Sequence, residues 1–217
     1  AFNTQCLGNA VSILRYGTEE QKQAWIPDLI SARKIGCFAI TEPNAGSDVL
    51  SMKATARPVD DGFVLNGTKN WISFGSRADM VLVYAYHDRE QGSKGMSAFL
   101  VDLHADGVTT SDLDKLGTRS SPTSEICFED VKLPKEALLG KLGDGVKICF
   151  TSLNQTRLCC AAGGVGLAQA CLDASVQYCN EREQFGQAVG KFQMNQEQIG
   201  AMAAEIEAAR WLTYRAA

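Results

Sequence analysis

The chain has 217 residues, a net charge of −4, 45% apolar residues and 21% charged ones. At roughly 100–200 residues per domain, that is one large or two small soluble globular domains with enough apolar side chain for a core. The acidic balance argues against a nucleic-acid partner, which calls for a Lys/Arg excess, and no uninterrupted apolar run reaches about 18 residues, so no membrane span is expected.

Residues 1–35 read as helical. The opening AFNTQCLGNAVSILRYG lacks the basic start and apolar block of a signal peptide. It begins without Met, as if in mid-helix. Thr18 with Glu19, Glu20 and Gln21 behind it is a capping-box pattern. Trp25, Ile26, Leu29 and Ile30 follow at helical spacing.

Residues 36–134 change period. MVLVYAY (80–86), MSAFLVD (96–102) and SEICFEDVKL (124–133) predict strands, and Asp61-Gly62 and Asn66-Gly67 predict turns on either side of a short FVL run. Short strands at close intervals predict a compact antiparallel barrel or sandwich. From about residue 141 the helical period returns in one long helix, in which Gly163, Gly164 and Gly166 favour close helix approach over intrinsic helix propensity. FGQAVGKF interrupts it, and a second helix runs from about 192 to the end, where no cap follows. The expectation is a piece of a longer protein.

The eight cysteines lie in apolar stretches, and Cys149, Cys160 and Cys171 recur every eleven residues on one helix face. They are expected to be buried free thiols rather than a disulfide framework. With no CxxC and only His87 and His104 as imidazoles, no metal site is expected.

Four stretches carry the chemistry. Ala39-Ile40-Thr41-Glu42-Pro43-Asn44-Ala45-Gly46-Ser47-Asp48 is a strand running into a small-residue loop. Taken alone it reads first as a tight turn and second as an anion-binding loop. Asn66-Gly67-Thr68-Lys69-Asn70-Trp71-Ile72-Ser73 sets an aromatic plate and a hydroxyl two residues apart, hence on one face if the strand is regular. That face could stack a flat heterocycle; the alternative is a core Trp and a surface Ser. The third stretch is Lys115-Leu116-Gly117-Thr118-Arg119 with Thr123, and the fourth is Glu181-Arg182-Glu183-Gln184-Phe185-Gly186 with Gln193.

In this order and spacing the four stretches resemble the acyl-CoA dehydrogenase family, essentially end to end, and within it most nearly the glutaryl-CoA and alicyclic-acyl-CoA dehydrogenases of anaerobic bacteria. The resemblance implies an α+β fold: residues 1–35 ending an N-terminal helical domain, 36–134 a middle β-domain, and 135–217 the first helices of an incomplete C-terminal four-helix domain. It implies FAD as cofactor, held by Phe38, Ile40 and Thr41 at the pyrimidine edge, Gly46 and Ser47 at the pyrophosphate or the pantetheine channel, Trp71 on one flavin face and Ser73 near the hydride-accepting nitrogen. The family commonly has Thr at the Ser73 position. Arg182, Phe185 and Gln193 are implied to reach the adenosine-diphosphate part of FAD in a neighbouring subunit.

The implied reaction is α,β-dehydrogenation of an acyl-CoA thioester. Ser47, Thr156 and Arg157 would lie on the substrate side, although Thr156-Arg157 also reads as a plain helix-surface pair. The resemblance further implies an electron-transfer flavoprotein as acceptor, a homotetramer, and a place in the bacterial cytoplasm or the mitochondrial matrix. No catalytic base is expected within the chain. The family's usual base would lie beyond Ala217, Glu205 and Glu207 read as solvated helix charges, and Thr156 stands where some relatives carry an acid. Two other readings stand beside this one: a non-catalytic binding or assembly protein, and an acyl-CoA oxidase on the same fold.

Overall fold

The computed structural model describes residues 8–217. Cys6 and the start of the helical segment expected from residue 1 lie outside the described residues.

Two helices come first, α1 (Val11–Tyr16) and α2 (Glu19–Ile30). The Thr18 capping box is complete: the Gln21 N–H donates to Thr18 Oγ1 at 3.2 Å, and the Thr18 N–H donates to Gln21 Oε1 at 3.0 Å. Gln21 also reaches across the fold, its Nε2 donating to the carbonyls of Glu136 (2.7 Å) and Leu138 (2.9 Å).

The β-rich zone is one eight-stranded sheet. Its members are β1 (Gly36–Ala39), β2 (Thr55–Val59), β3 (Gly62–Ser73), β4 (Met80–Tyr86), β5 (Met96–Asp102), β6 (Val108–Asp112), β7 (Thr123–Pro134) and β8 (Leu138–Leu139). The order is β6-β7-β3-β2-β4-β5-β8, with β1 added alongside β4. The sheet is mixed rather than purely antiparallel, because β1 pairs parallel with β4 and β2 meets β4 in parallel at Thr55↔Tyr86. Alternation of side chains predicts strands but carries no sign of strand direction, and β1 and β4 are joined by a long crossover that contains the β2–β3 hairpin.

All seven residues of β4 are buried, and they divide with period two. Val81, Val83 and Ala85 join a cluster with Phe63, Leu65, Phe99, Ile126 and Phe128. Met80, Leu82, Tyr84 and Tyr86 join a second with Ile13, Leu29, Met52, Ile148 and Cys149. Strands three steps apart in a flat sheet are about 14 Å distant, yet the rings of Phe63 on β3 and Phe99 on β5 pack edge-on at 5.0 Å. The sheet therefore curls around the first cluster, while helices cover the second.

Two turn expectations change. The β2–β3 hairpin turns at Asp60-Asp61, one residue before the expected Asp61-Gly62. Asn66-Gly67 is not a turn; it lies inside β3 opposite a bulge whose extra residue falls on β7, between Phe128 and Val131. Gly67 has φ +138°, and a Cβ there would come within 2.7 Å of the Ala54 side chain. Opposite it, Asp130 on β7 has φ +48°; its N–H donates to Asn66 Oδ1 (2.9 Å), and Asn66 Nδ2 donates to its carboxylate (3.0 Å). The sequence cue for a non-extended backbone is real, but a twelve-residue strand absorbs it.

The long helix α3 (Gly145–Glu181) contributes its first turns to the second cluster through Ile148 and Cys149. Ser152 Oγ lies 2.6 Å from Ser12 Oγ. By length and composition alone, α3 is long and apolar enough to cross a membrane. Polar residues such as Asn154, Gln155 and Arg157 break its apolar run, and its opening turns are packed on the sheet.

The chain divides into two compact units, one ending at Thr156 and one from Arg157 to Ala217. The second unit holds the rest of α3, a small hairpin of β9 (Glu183–Gln184) and β10 (Gln187–Ala188), and α4 (Gln193–Ala216). Within it Arg210 donates to the Gln169 side chain at 2.7 Å. Cys160 and Cys171 are exposed, against expectation, whereas Cys37 and Cys149 are buried and no disulfide occurs among the described residues. Their shared helix face is covered only where it lies under the sheet. Burial pushes the Cys37 thiol well above the ordinary range.

Candidate functional site

The site grows from the end of β1. The Asn70 N–H donates to the Thr41 carbonyl at 2.8 Å, which sets Ile40 and Thr41 beside the Asn70–Ser73 end of β3. Glu42 and Ala45 then bond each other's backbone in both directions (2.9 and 3.2 Å), closing a tight turn with Pro43 and Asn44 at its tip. Gly46 and Ser47 follow as exposed residues, and the Cβ direction of Gly46 faces open space.

Behind this turn sits a buried ion pair that sequence reasoning missed. Lys69 Nζ donates to Glu42 Oε1 at 2.9 Å and to the Ile40 carbonyl at 3.1 Å. The side chains are 0% and 6% exposed. Glu42 also accepts from the N–H groups of Lys53 (2.6 Å) and Ala54 (3.0 Å). Burial alone would raise the Glu42 carboxyl, but the Lys69 charge and these N–H donors outweigh it and hold its pKa below the ordinary carboxylate value. Burial pulls Lys69 below the ordinary lysine value, opposed by Glu42. The sequence signal was a lysine within the strand NGTKNWIS and a glutamate within ITEPNAGSD.

Trp71 is not a core residue. Its side chain is 58% exposed, and its backbone lies in the left-handed region at φ +60°. The register shifts between Lys69 and Ile72, both of which turn inward. The regular two-residue spacing assumed for Trp71 and Ser73 is therefore interrupted by a bulge. Phe74, with φ +63°, is a second left-handed residue. Such conformations cost of order 1–3 kcal/mol each for non-glycine residues and cluster at functional sites. Ser73 is half-buried and pairs with Thr123. Thr123 Oγ1 accepts from Lys115 Nζ at 2.8 Å, and that ammonium also donates to the Thr118 and Ser121 carbonyls, so the 115–123 loop is pinned beside Ser73.

Phe38, on β1 two residues before Ile40, is half-buried, and its ring packs on Tyr84 at 5.2 Å. Thr156 is half-buried with its hydroxyl donating to the Leu153 carbonyl at 3.1 Å, and Arg157 is exposed.

The remaining residues belong to the second unit. Phe185 and Gly186 are the two central residues of the β9–β10 turn, at φ +53° and +74°. Positive φ at both positions is the two-residue hairpin geometry that matches strand twist. Phe185 is 93% exposed, its ring edge-on to Phe192 at 6.2 Å. The Arg182 carbonyl accepts from the Val189 N–H at 2.8 Å, which folds the hairpin back on the end of α3, and Gln193 opens α4 as an exposed residue. The Arg182 guanidinium has no partner among the described residues. Among the described residues no group of three or more metal-ligating side chains forms.

Family models agree with this layout. The acyl-CoA dehydrogenase middle domain matches residues 37–131, and the acyl-CoA dehydrogenase C-terminal domain matches residues 143–217. A glutaryl-CoA dehydrogenase of Desulfococcus multivorans is 55% identical over 217 residues, all of this chain and 56% of the relative. A solved glutaryl-coenzyme A dehydrogenase in its glutaryl-CoA complex superposes with a TM-score of 0.95 at 54% identity, over 99% of this chain and 54% of that one. The structure of PigA with FAD and proline superposes with a TM-score of 0.94 at 32% identity, over 98% and 56%. The chain spans about half the length of the relatives it matches. With a curled mixed sheet where the middle-domain model falls and paired helices where the C-terminal model falls, the chain belongs to the acyl-CoA dehydrogenase family.

Proposed function

We propose that this chain forms the flavin-cradling part of an FAD-dependent acyl-CoA dehydrogenase. The observation that carries the reading is Trp71, held exposed in a left-handed conformation beside the Ile40–Thr41 strand end. A flat heteroaromatic group fits this arrangement: an indole plate to stack on, the hydroxyls of Thr41 and Ser73, and main-chain donors for an electron-rich edge. Gly46 and Ser47 offer an unobstructed loop for a phosphate or a pantetheine chain. Arg182, with a planar and permanently charged guanidinium, suits a pyrophosphate; with Phe185 and Gln193 it would serve the adenosine-diphosphate part of FAD in a neighbouring subunit of a homotetramer.

When bound, FAD supplies the acceptor for a hydride leaving the β-carbon of an acyl-CoA thioester. The chain's own part is alignment and electrostatics: fixed donors aimed where negative charge develops need no reorganisation during reaction. The α-proton requires a carboxylate base, and a hydroxyl at Thr156 cannot serve as one at neutral pH, so the base is assigned outside these residues. Thr156 and Arg157 are assigned to the acyl side.

The substrate class proposed is a short dicarboxylic or alicyclic acyl-CoA, glutaryl-CoA first. Electrons would pass to an electron-transfer flavoprotein in a bacterial cytoplasm. The test is to purify the full-length protein, measure flavin per subunit, and compare dye-linked turnover of glutaryl-, cyclohexenecarboxyl-, butyryl- and palmitoyl-CoA. A colourless protein refutes the flavin reading. Best turnover with palmitoyl-CoA refutes the substrate class, and rapid reoxidation of the reduced protein by oxygen makes it an oxidase.

A further inference from the structure

The buried Glu42–Lys69 pair is the least expected feature of the β-unit, and its geometry bears on the cofactor site. A lysine ammonium taken out of water is costly unless its donors are used. Here two of them go to Glu42 Oε1 and the Ile40 carbonyl. The Ile40–Thr41 peptide is trans, as are all the described peptide bonds. In a trans peptide the C=O and the following N–H point in opposite directions. Lys69 lies inside the fold and holds the Ile40 oxygen inward, so the Thr41 N–H points outward. That N–H has no partner among the described residues. It lies beside Asn70, on the surface that also presents Trp71.

We propose that Lys69 and Glu42 are positioning residues: Lys69 fixes the Ile40 carbonyl so that the Thr41 N–H is aimed out of the fold as a donor to the electron-rich edge of bound flavin, and Glu42 holds Lys69 in place. This inference rests on the flavin reading above. The pair reaches the cofactor only through the main chain. Glu42 is itself fixed by the Lys53 and Ala54 N–H groups, so three segments of chain agree on one orientation of a single peptide.

The test uses the full-length, FAD-loaded protein, its Lys69→Met variant and the Glu42→Gln/Lys69→Met double variant. Removing one charge strands the other, so the single variant loses thermal stability; the double variant leaves no buried charge and regains most of it. The expected result is that the double variant, though folded, releases FAD about tenfold more readily, the loss of one well-aimed hydrogen bond. Its flavin midpoint potential moves to a more negative value, because the reduced flavin loses a donor. Recovery of wild-type FAD affinity and potential together with stability overturns the proposal and leaves the pair a purely structural one. A second measurement needs no variant: FAD should slow hydrogen exchange at the Thr41 amide of the wild-type protein. A yellow wild-type protein with Thr41 unprotected sinks this inference alone; a colourless one sinks the flavin reading with it.

Discussion

At the scale of single residues, the two most informative side chains behave in opposite ways. Trp71 is exposed, so Trp71→Ala should cost stability only within about 1 kcal/mol, while the flavin absorbance envelope of the full-length protein changes. An unchanged spectrum would remove Trp71 from the cofactor surface. Lys69 is fully buried and paired, so Lys69→Met alone should cost about 3–5 kcal/mol in denaturant unfolding. Glu42 adds a pH dependence whose sign follows from its depressed pKa. A carboxylate held below its ordinary value of 4.5 contributes stability that is complete above that pH and lost as pH falls through the folded-state value. Below pH 4.5, Glu42→Gln should therefore show a shallower loss of stability with acid than the wild type, read from denaturant midpoints at each pH.

At the scale of elements, the strands were the most legible part. MVLVYAY and MSAFLVD are β4 and β5 residue for residue, because their apolar runs are bounded by turn-formers. The Thr18 cap was legible for the same local reason. What escaped is non-local: the parallel direction of β1, the β7 bulge opposite Asn66-Gly67, and the β3 bulge that turns Trp71 outward while Lys69 goes in. None of these has a signature within a few residues, since each depends on what the neighbouring strand does. The β9–β10 turn supplies a prediction at this scale. Phe185 occupies a left-handed position that suits Asn or Gly. Phe185→Asn should raise stability by up to about 1 kcal/mol, while weakening FAD retention if the ring serves the cofactor; calorimetry and flavin release on the full-length protein separate the two effects. Gly186→Ala, forced to the same region, should destabilise by about 1–2 kcal/mol.

At the scale of the whole molecule, burial is distributed very unevenly. Among the described residues every buried apolar side chain except Ile206 belongs to the unit ending at Thr156. The other unit exposes Leu167, Val176, Tyr178, Met194, Trp211, Leu212 and Tyr214. Each large side chain left in water forgoes about 1.5–3 kcal/mol. Residues 1–217 expressed alone should therefore show slow hydrogen exchange in the sheet and fast exchange across 157–217. With no base assigned among them, they should also fall about 100- to 10,000-fold short of an enzymatic dehydrogenation rate. A yellow product turning over glutaryl-CoA at full speed would overturn the assignment of the base outside this chain. The same unit carries a consequence for how the protein is made. Ser12 meets Ser152, and Gln21 clasps the carbonyls of Glu136 and Leu138. Helices α1 and α2, made before the sheet, thus find partners far along the chain, near the end of their own unit. Until α3 begins to emerge, the nascent sheet can form with α1 and α2 on one face but without Ile148 and Cys149, and a translational pause before Gly145 would leave this gap open to chaperones for as long as the pause lasts.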